Sequence, residues 1–301
     1  MKSLRQMSLL IGVFTSGTQL PAQHQPNSGM KHDGNMVMFH GPRWSPDGKW
    51  MLMSGTLEGD SEIYLVGVDG GGVRQLTKNT IADDIATWSE DGRRILFESQ
   101  RSGKAQLYSM NLDGGDVRPA ARDSVVSRSA DGKTLLFESV RNERGRLFTM
   151  TAARTDAREI RTARHAEQGS FSPDGRTIVF EQRDAMHEEI RMSQIVVAKP
   201  DGSEPRVVAS GTDPSWSRDG RLILFKTWDD GTNQLWISTV APDGTGLRRL
   251  TPGVHPNWSP DGSRIAFMKD GAADRADVWV MSRDGSGARC LTCALGAARH
   301  Q

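Results

Sequence analysis

Residues that could bind a metal ion recur at a similar distance before a repeated sequence motif. The motif is an aromatic residue, or Arg in one copy, followed by Ser, a variable residue and Asp-Gly. The polar residues three or four positions before it are His40, Asp84, Ser124, Glu167, Gln168, Asp213 and His255. Imidazole and carboxylate groups are suitable ligands for zinc or manganese. The pattern therefore indicates one of two things, a divalent metal or cationic ligand, or a solvated polar rim.

The two cysteines, Cys290 and Cys293, are a second candidate for metal or redox chemistry. In an extended strand, residues three apart lie roughly 10 Å from one another, beyond the ~7 Å limit for a disulfide. Either the chain turns after Cys290, or the pair stays unbridged. A zinc site would need two more ligands nearby, and the tail supplies only His300.

Four other residues are candidates for contact with a macromolecule. Trp228 follows a predicted strand, where its ring would be partly exposed among charged neighbours, and exposed Trp is typical of binding hot spots. Arg101, Arg141 and Arg183 lie in neighbouring predicted loops and could meet an acidic partner. The competing interpretations are that Trp228 folds back over a strand edge and that the arginines are solvated loop charges.

The elements that must position these residues follow from the repeat. The copies begin at Trp44, Trp88, Arg128, Phe171, Trp216 and Trp258. A period of roughly 40 to 45 residues indicates propeller blades or another repeat array. Each copy continues with a short apolar strand, a polar loop, a second strand and a second tight turn, which is Asp-Gly in all but one copy. Because Asp-Gly between β-rich runs is the strongest short hairpin signal, every repeat is predicted to hold four short antiparallel strands.

The same pattern resembles a known family. Trp-Ser-Pro-Asp-Gly, then Ile-x-Phe, then Ile/Leu-Tyr/Trp, then Asp-Gly and Arg-x-Leu-Thr resembles the PD40 repeats of the TolB-type propeller, over about Met36 to Cys293. The resemblance implies an all-β fold, a six-bladed β-propeller of four-stranded antiparallel blades. TolB proteins carry an α/β domain ahead of the propeller, and residues 23–35 leave no room for one. The resemblance therefore covers the propeller part only, and function has to be argued from the site.

The N-terminal residues have the pattern of a secretory leader. Lys2 and Arg5 precede an apolar stretch, and the segment ends at the small residue Ala22. We expect a signal peptide over 1–22, a linker over 23–35, the propeller over 36–293 and a flexible tail over 294–301. The expected location is periplasmic or secreted. The alternative is a disordered cytosolic tail.

Bulk composition narrows the classes of partner. With 38 Lys and Arg against 37 Asp and Glu, the net charge is +1, which disfavours binding to nucleic acid. No apolar run approaches the ~18 residues of a membrane-spanning helix. The motifs of serine hydrolases, zinc proteases, phosphate loops and dinucleotide-binding folds are also missing from the sequence. We expect a monomer with no transmembrane segment.

Strand alternation decides which face of the propeller carries function. All the Asp-Gly turns lie on one face, where they are short and uniform, so the links that vary lie on the other face. The residues before each Trp should ring the channel mouth, with Asp213, His255 and His40 on three successive blades of the closed ring. The sequence thus predicts a non-catalytic exported propeller that binds a protein or peptide partner in the cell envelope on its variable-loop face. No cofactor is expected, apart from a possible divalent metal at the mouth. The alternative is an axis-metal-dependent lyase or hydrolase acting on a saccharide or lactone.

Overall fold

The computed structural model describes most of the chain from Phe39 to Cys293. The described residues are 39–56, 60–69, 72–89, 91–120, 127–141, 144–153, 155–162, 165–183, 193–270 and 276–293. The expected signal peptide, linker and tail, residues 1–22, 23–35 and 294–301, lie outside them. No helix among the described residues is long and apolar enough to cross a membrane.

Six sheets are formed, each by four consecutive strands, and we call them blades 1 to 6. Blade 1 contains β1 (Phe39–Trp44), β2 (Trp50–Gly55), β3 (Glu62–Gly67) and β4 (Val73–Gln75). Blade 2 contains β5 (Asp83–Trp88), β6 (Arg94–Ser99), β7 (Gln106–Asn111) and β8 (Arg118–Pro119). Blade 3 contains β9 (Ser127–Arg128), β10 (Thr134–Arg141), β11 (Arg144–Thr151) and β12 (Arg158–Glu159).

Blades 4 to 6 follow the same plan. Blade 4 contains β13 (His165–Phe171), β14 (Ile178–Arg183), β15 (Gln194–Ala198) and β16 (Arg206–Ser210). Blade 5 contains β17 (Thr212–Trp216), β18 (Ile223–Asp229), β19 (Gln234–Val240) and β20 (Arg248–Pro252). Blade 6 contains β21 (Val254–Trp258), β22 (Arg264–Asp270), β23 (Ala276–Ser282) and β24 (Arg289–Cys290). The prediction of a six-bladed β-propeller with four-stranded antiparallel blades is confirmed.

The repeated motif owes its composition to a hydrogen-bonded turn between the first and second strands. In all six copies the Ser hydroxyl donates to the Asp carboxylate at 2.5 to 2.7 Å. The same carboxylate accepts the backbone N–H two residues later, at 3.0 to 3.1 Å. The Gly has φ between +67° and +73°, a conformation that other residues rarely adopt. The Asp-Gly pair therefore has a structural role here.

Apolar side chains fill the spaces between the blades. The cluster that contains Leu52 and Ile63 of blade 1 also contains Phe97 and Met110 of blade 2. First strands of neighbouring blades contact one another, as β1 does with β5 and with β21, so they line the axis of the ring. Clusters of this kind lie between blades 1 and 2, 3 and 4, 4 and 5, 5 and 6, and 6 and 1 of the described structure.

Blades 6 and 1 meet through side chains, since each blade keeps its own outer strand. Met51, Met53 and Tyr64 pack in one cluster with Met268 and Val278. Trp44 Nε1 donates to the Asn257 carbonyl at 3.2 Å, and the guanidinium of Arg264 lies 4.8 Å from the centroid of the Trp44 ring. Arg289 of β24 also donates to the Val68 carbonyl. Among the described residues, no backbone-to-backbone hydrogen bond joins these two blades.

Candidate functional site

A β-bulge interrupts the first strand of five blades near the axis. The register shifts in β1, β5, β13, β17 and β21. The residue three positions before the motif has a left-handed φ in each case, with values between +48° and +56°. These residues are Gly41, Ile85, Gln168, Asp213 and His255. Because a bulge redirects a side chain out of the regular alternation, this ring of positions forms the candidate site at the channel mouth.

The Asp213 carboxylate is the centre of the charged groups in this ring. Lys226 of the adjacent strand β18 pairs with it at 2.5 Å, and only 7% of the Lys226 side chain is exposed. Burial acts to raise the pKa of Asp213, but Lys226, His255 of blade 6 and a hydrogen bond from Gln168 of blade 4 hold that pKa below its ordinary value. Asp213 is therefore ionised at neutral pH and joins groups from three successive blades.

Arg43 of blade 1 also interacts electrostatically with Asp213, so a fourth blade contributes to this charged group. Desolvation by the surrounding protein lowers the pKa of its guanidinium, and the charge of Asp213 opposes that effect. The Asn257 side-chain amide is oriented so that its nitrogen donates to the Trp258 carbonyl and its oxygen accepts from Arg43 Nη1, both at 3.1 Å. Blades 4, 5, 6 and 1 are thus electrostatically linked around the axis.

Carboxylates of blades 3 and 4 lie beside the bulged residue of the next blade, Glu138 beside Gln168 and Glu181 beside Asp213. Desolvation and the charge of Glu167 raise the pKa of Glu138. Desolvation, with a smaller effect from Asp213, also raises the pKa of Glu181, which is 4% exposed. Glu181 accepts the Ser193 hydroxyl at 2.9 Å and the Asp213 backbone N–H at 3.4 Å. These second-strand carboxylates therefore support the bulge of the next blade.

Asp84 has a similar supporting role in blade 2. It accepts the hydroxyl of Ser54 from blade 1 and the backbone N–H of Ile85 at 2.8 Å. Those two bonds fix the bulge that presents Ile85, and 65% of that side chain is exposed. Sequence reasoning selected Asp84 and missed Ile85, because an isoleucine next to a strand reads as a core residue. Its position three residues before Trp88, which corresponds to Asp213 and His255, was the available signal.

The predicted loop residues have different environments. Arg101 forms two 2.8 Å hydrogen bonds with the fully buried carboxylate of Asp83, and its guanidinium lies 5.0 Å from the ring centroids of Phe97 and Tyr108. Arg183 pairs with Glu167 at 2.7 Å, so it belongs to the channel mouth. Arg101 and Arg183 therefore each form an ion pair within the chain, and a binding partner would meet them as paired charges.

The sequence predicted that Trp228 follows the strand, but in the structure it lies within the strand. It is part of β18, pairs with Leu235 across the hairpin and is half-buried. The strand continues through Lys226 and Thr227, and both of these side chains are buried. Arg141 ends β10, and its side chain lies outside the described part of the structure, as do the side chain of His40 and all of Ser124.

A metal at the axis would require converging ligands, and the described side chains show ion pairs instead. At the channel mouth, no three imidazole, thiolate or carboxylate ligand atoms of described residues lie within 4.8 Å of one another. The one described group that meets this distance is Asp277, Cys290 and Cys293, which is in blade 6. A cation bound to Asp213 would also have to displace Lys226. The described residues of the mouth thus do not fit a metal centre.

The two cysteines are joined by a disulfide. Strand β24 ends at Cys290, the chain turns, and the two Cα atoms lie 5.8 Å apart. This distance is within the usual range for a disulfide, so the first of the two possibilities left open by the sequence is the one observed.

Comparisons with known proteins agree with this architecture. A family described as PD40, TolB beta propeller domain, matches residues 28–204. TolB from Acinetobacter baumannii shares 20% identity with a TM-score of 0.55, over 71% of this chain and 54% of that one, so the chain spans about half of that protein. A structure described as TolB from Agrobacterium tumefaciens shares 22% identity and a TM-score of 0.55, over 82% of this chain and 90% of that one.

Enzymes are also among the structural relatives. An oligogalacturonate lyase in complex with manganese has a TM-score of 0.59 at 14% identity, over 82% of this chain and 90% of that one. At this identity the likeness shows the shared fold alone. No curated protein matches the chain.

Proposed function

Because the chain belongs to the TolB beta propeller domain family, we propose that it is a non-catalytic exported scaffold, periplasmic or secreted. It binds a protein or peptide partner on the face that carries the variable loops and the channel mouth. The observation that supports this proposal is the backbone conformation and the exposure of Ile85. A β-branched residue with φ of +51° and 65% exposure is unusual on both counts.

Ile85 is held in a conformation that costs free energy. A left-handed backbone at such a residue costs on the order of 1–3 kcal/mol, and this strain persists only where the surroundings impose it. The bulge itself does not need isoleucine, because Gly41 has the same position in blade 1 with φ of +48°. A strained apolar side chain that gains no burial within the chain is well suited to be buried by a partner.

The charges of the channel mouth favour binding over chemistry at the axis. Asp213 is neutralised by Lys226, and Glu167 by Arg183. Paired charges fix the shape of a surface, whereas a general base or a metal ligand must be available to the substrate. The axis-metal-dependent lyase or hydrolase, acting on a saccharide or lactone, is therefore the less favoured alternative.

A site-specific photocrosslinker can test the proposed surface. Incorporated in place of Ile85, it should yield a discrete adduct with one envelope protein or peptide of the source organism. Val207 provides the matched control, because it is 52% exposed but lies on the outer strand β16, away from the axis. Ile85→Asp should reduce the partner's affinity at least tenfold, whereas Val207→Asp should leave it within twofold. Neither variant should have a lower melting temperature than the wild type, since both positions are exposed.

Two outcomes would contradict the proposal. Equal crosslinking from positions 85 and 207 would show that contact at the mouth is not specific. A saccharide- or lactone-cleaving activity that depends on added Mn²⁺ and is lost in His255→Ala, with Ile85→Asp unaffected, would transfer the function to the axis.

A further inference from the structure

The disulfide of blade 6 lies beside a buried carboxylate that the proposed partner-binding surface does not use. Asp277 of β23 is 1% exposed. One ligand atom of Asp277 and the sulfur atoms of Cys290 and Cys293 all lie within 4.8 Å of one another. The sequence alone left this cysteine pair two ligands short, because Asp277 is thirteen residues before Cys290 and reaches it only through the pairing of β23 with β24.

The carboxylate is held in place by its neighbours. The Thr292 hydroxyl donates to Asp277 Oδ1 at 2.7 Å, and the same hydroxyl accepts the Val278 backbone N–H at 3.0 Å. Thr292 is itself fully buried. A hydrogen bond that orients a ligand carboxylate is a frequent feature of metal sites, and it typically contributes 10- to 100-fold to affinity.

The sulfur of Cys290 also accepts a backbone hydrogen bond. The N–H of Cys293 lies 2.9 Å from Cys290 Sγ. Such a donor stabilises negative charge on sulfur, which is the form in which cysteine binds a metal. The turn after β24 therefore holds the two cysteines in a backbone arrangement in which both thiolates could bind one metal ion.

Blade 1 shows what this corner looks like without cysteines. There Thr77 accepts the Ile63 backbone N–H at 2.9 Å, as Thr292 accepts that of Val278. Glu62 corresponds to Asp277 and is also buried. Strand pairing places Gln75 opposite Tyr64 where blade 6 places Cys290 opposite Trp279. The acid and the threonine are thus part of the blade structure, and the two sulfur atoms are an addition specific to blade 6.

We propose that the reduced chain binds one zinc ion through Cys290, Cys293 and Asp277, and that the disulfide excludes it. Two thiolates and one carboxylate are suitable zinc ligands, and three protein ligands leave the fourth tetrahedral position to water. In tetrahedral geometry the two sulfur atoms separate to about 3.8 Å, so zinc and the disulfide are mutually exclusive.

The chemistry balances with an external reductant. A dithiol supplies the two electrons that break the sulfur–sulfur bond together with the two protons of the new thiols, whereas a phosphine supplies two electrons and water supplies the two protons. The dithiol becomes a disulfide, or the phosphine becomes a phosphine oxide with oxygen from water. Zinc binding then releases the two thiol protons as the thiolates form. Affinity for zinc should therefore increase with pH.

The test uses the full chain, oxidised or reduced with a phosphine that is then removed under anaerobic conditions. Titration with Co²⁺ alone should give a sulfur-to-cobalt charge-transfer band and tetrahedral ligand-field bands in the reduced protein only. One equivalent of Zn²⁺ should remove both. Asp277→Asn should weaken Zn²⁺ binding at least tenfold, because its amide can still accept from Thr292 but does not replace the charged ligand. Glu62→Gln, the matched change in blade 1, should alter binding less than twofold.

X-ray absorption of the zinc-loaded wild type covers the case in which Asp277→Asn does not fold. Two sulfur atoms near 2.3 Å and two lighter atoms near 2.0 Å are expected around zinc. Four sulfur atoms would indicate a bridge between two chains and overturn the proposal. Equal Zn²⁺ binding by the oxidised protein, or by Cys290→Ser with Cys293→Ser, would also overturn it, as would unchanged affinity in a folded Asp277→Asn.

Discussion

At the residue scale, the channel mouth contains carboxylates with opposite responses to their surroundings. Asp213 has Lys226 beside it, and its pKa is lowered. Glu181 accepts a hydroxyl and a backbone N–H, and burial raises its pKa, an effect that the charge of Arg183 offsets only in part. A buried carboxylate whose charge is only partly offset costs free energy when it is ionised. Glu181 should therefore be a position at which the native charge reduces stability.

Glu181→Gln should stabilise the protein at neutral pH. Because the native state raises this pKa above its ordinary value of 4.5, wild-type stability from this group is present at low pH and is lost as pH rises through the folded pKa. The variant's advantage should exceed the ~0.5 kcal/mol of a typical surface change at pH 7 and vanish below pH 4.5. Urea unfolding at both pH values measures it. A variant that is less stable at pH 7 would mean that the Glu181 charge supports the Asp213 bulge.

The sequence predicted some members of the mouth and not others. Counting back from each Trp located Asp213 and His255, because the position is the same in every blade. The ion pair of Asp213 with Lys226 depends on which face of β18 each residue occupies, and that becomes definite only when β17 and β18 pair with a bulge. Ile85 was missed for the same reason, since nothing in its type indicates a left-handed backbone.

At the element scale, the repeated turn both ends a strand and contacts the next blade. A Cβ added to Gly92 of blade 2 would lie 2.7 Å from Pro46 Cγ of blade 1. The variable residue of one turn thus packs beside the Gly of the next turn. The Asp-Gly pair predicted the turn from the sequence, whereas this contact between blades became visible only in the structure.

Gly92→Ala separates the two roles when it is compared with Gly103→Ala. Gly103 has φ of +83°, and an added Cβ would meet nothing within 4 Å. Gly103→Ala should therefore cost only the left-handed strain, about 1–2 kcal/mol. Gly92→Ala should cost about 1–3 kcal/mol more, because it also crowds the Pro46 ring. Equal losses in thermal or urea unfolding would show that the turns of blades 1 and 2 do not touch in solution.

At the scale of the whole molecule, six similar blades form a ring in which no strand of the described residues is shared between two blades. The repeat predicted the number of blades and their order. It did not predict how the ring closes, because closure depends on whether β24 stays with blade 6. The structure shows that it does, and that the contact between blades 6 and 1 uses the same kind of packing as other blade interfaces.

Trp44→Phe and Trp88→Phe compare this closing interface with an ordinary one. Trp44 Nε1 donates to the Asn257 carbonyl and Trp88 Nε1 to the Arg43 carbonyl, both at 3.2 Å. Each change removes one such bond between blades and some buried area, so each should lower the free energy of unfolding by about 1–2 kcal/mol. A neutral Trp44→Phe beside a costly Trp88→Phe in urea unfolding would mean that the ring is open between blades 6 and 1 in solution.

The side-chain closure also determines how the propeller responds to mechanical load. Its first and last strands, β1 and β24, belong to the two blades that meet there. A force that pulls these ends apart acts first on apolar packing and a few side-chain bonds, because no strand in the described part of the chain crosses from one blade to the other. A propeller closed by a shared strand would have to shear a ladder of backbone hydrogen bonds instead. This ring should therefore yield at low force between blades 6 and 1, with each of the six sheets still intact when it opens.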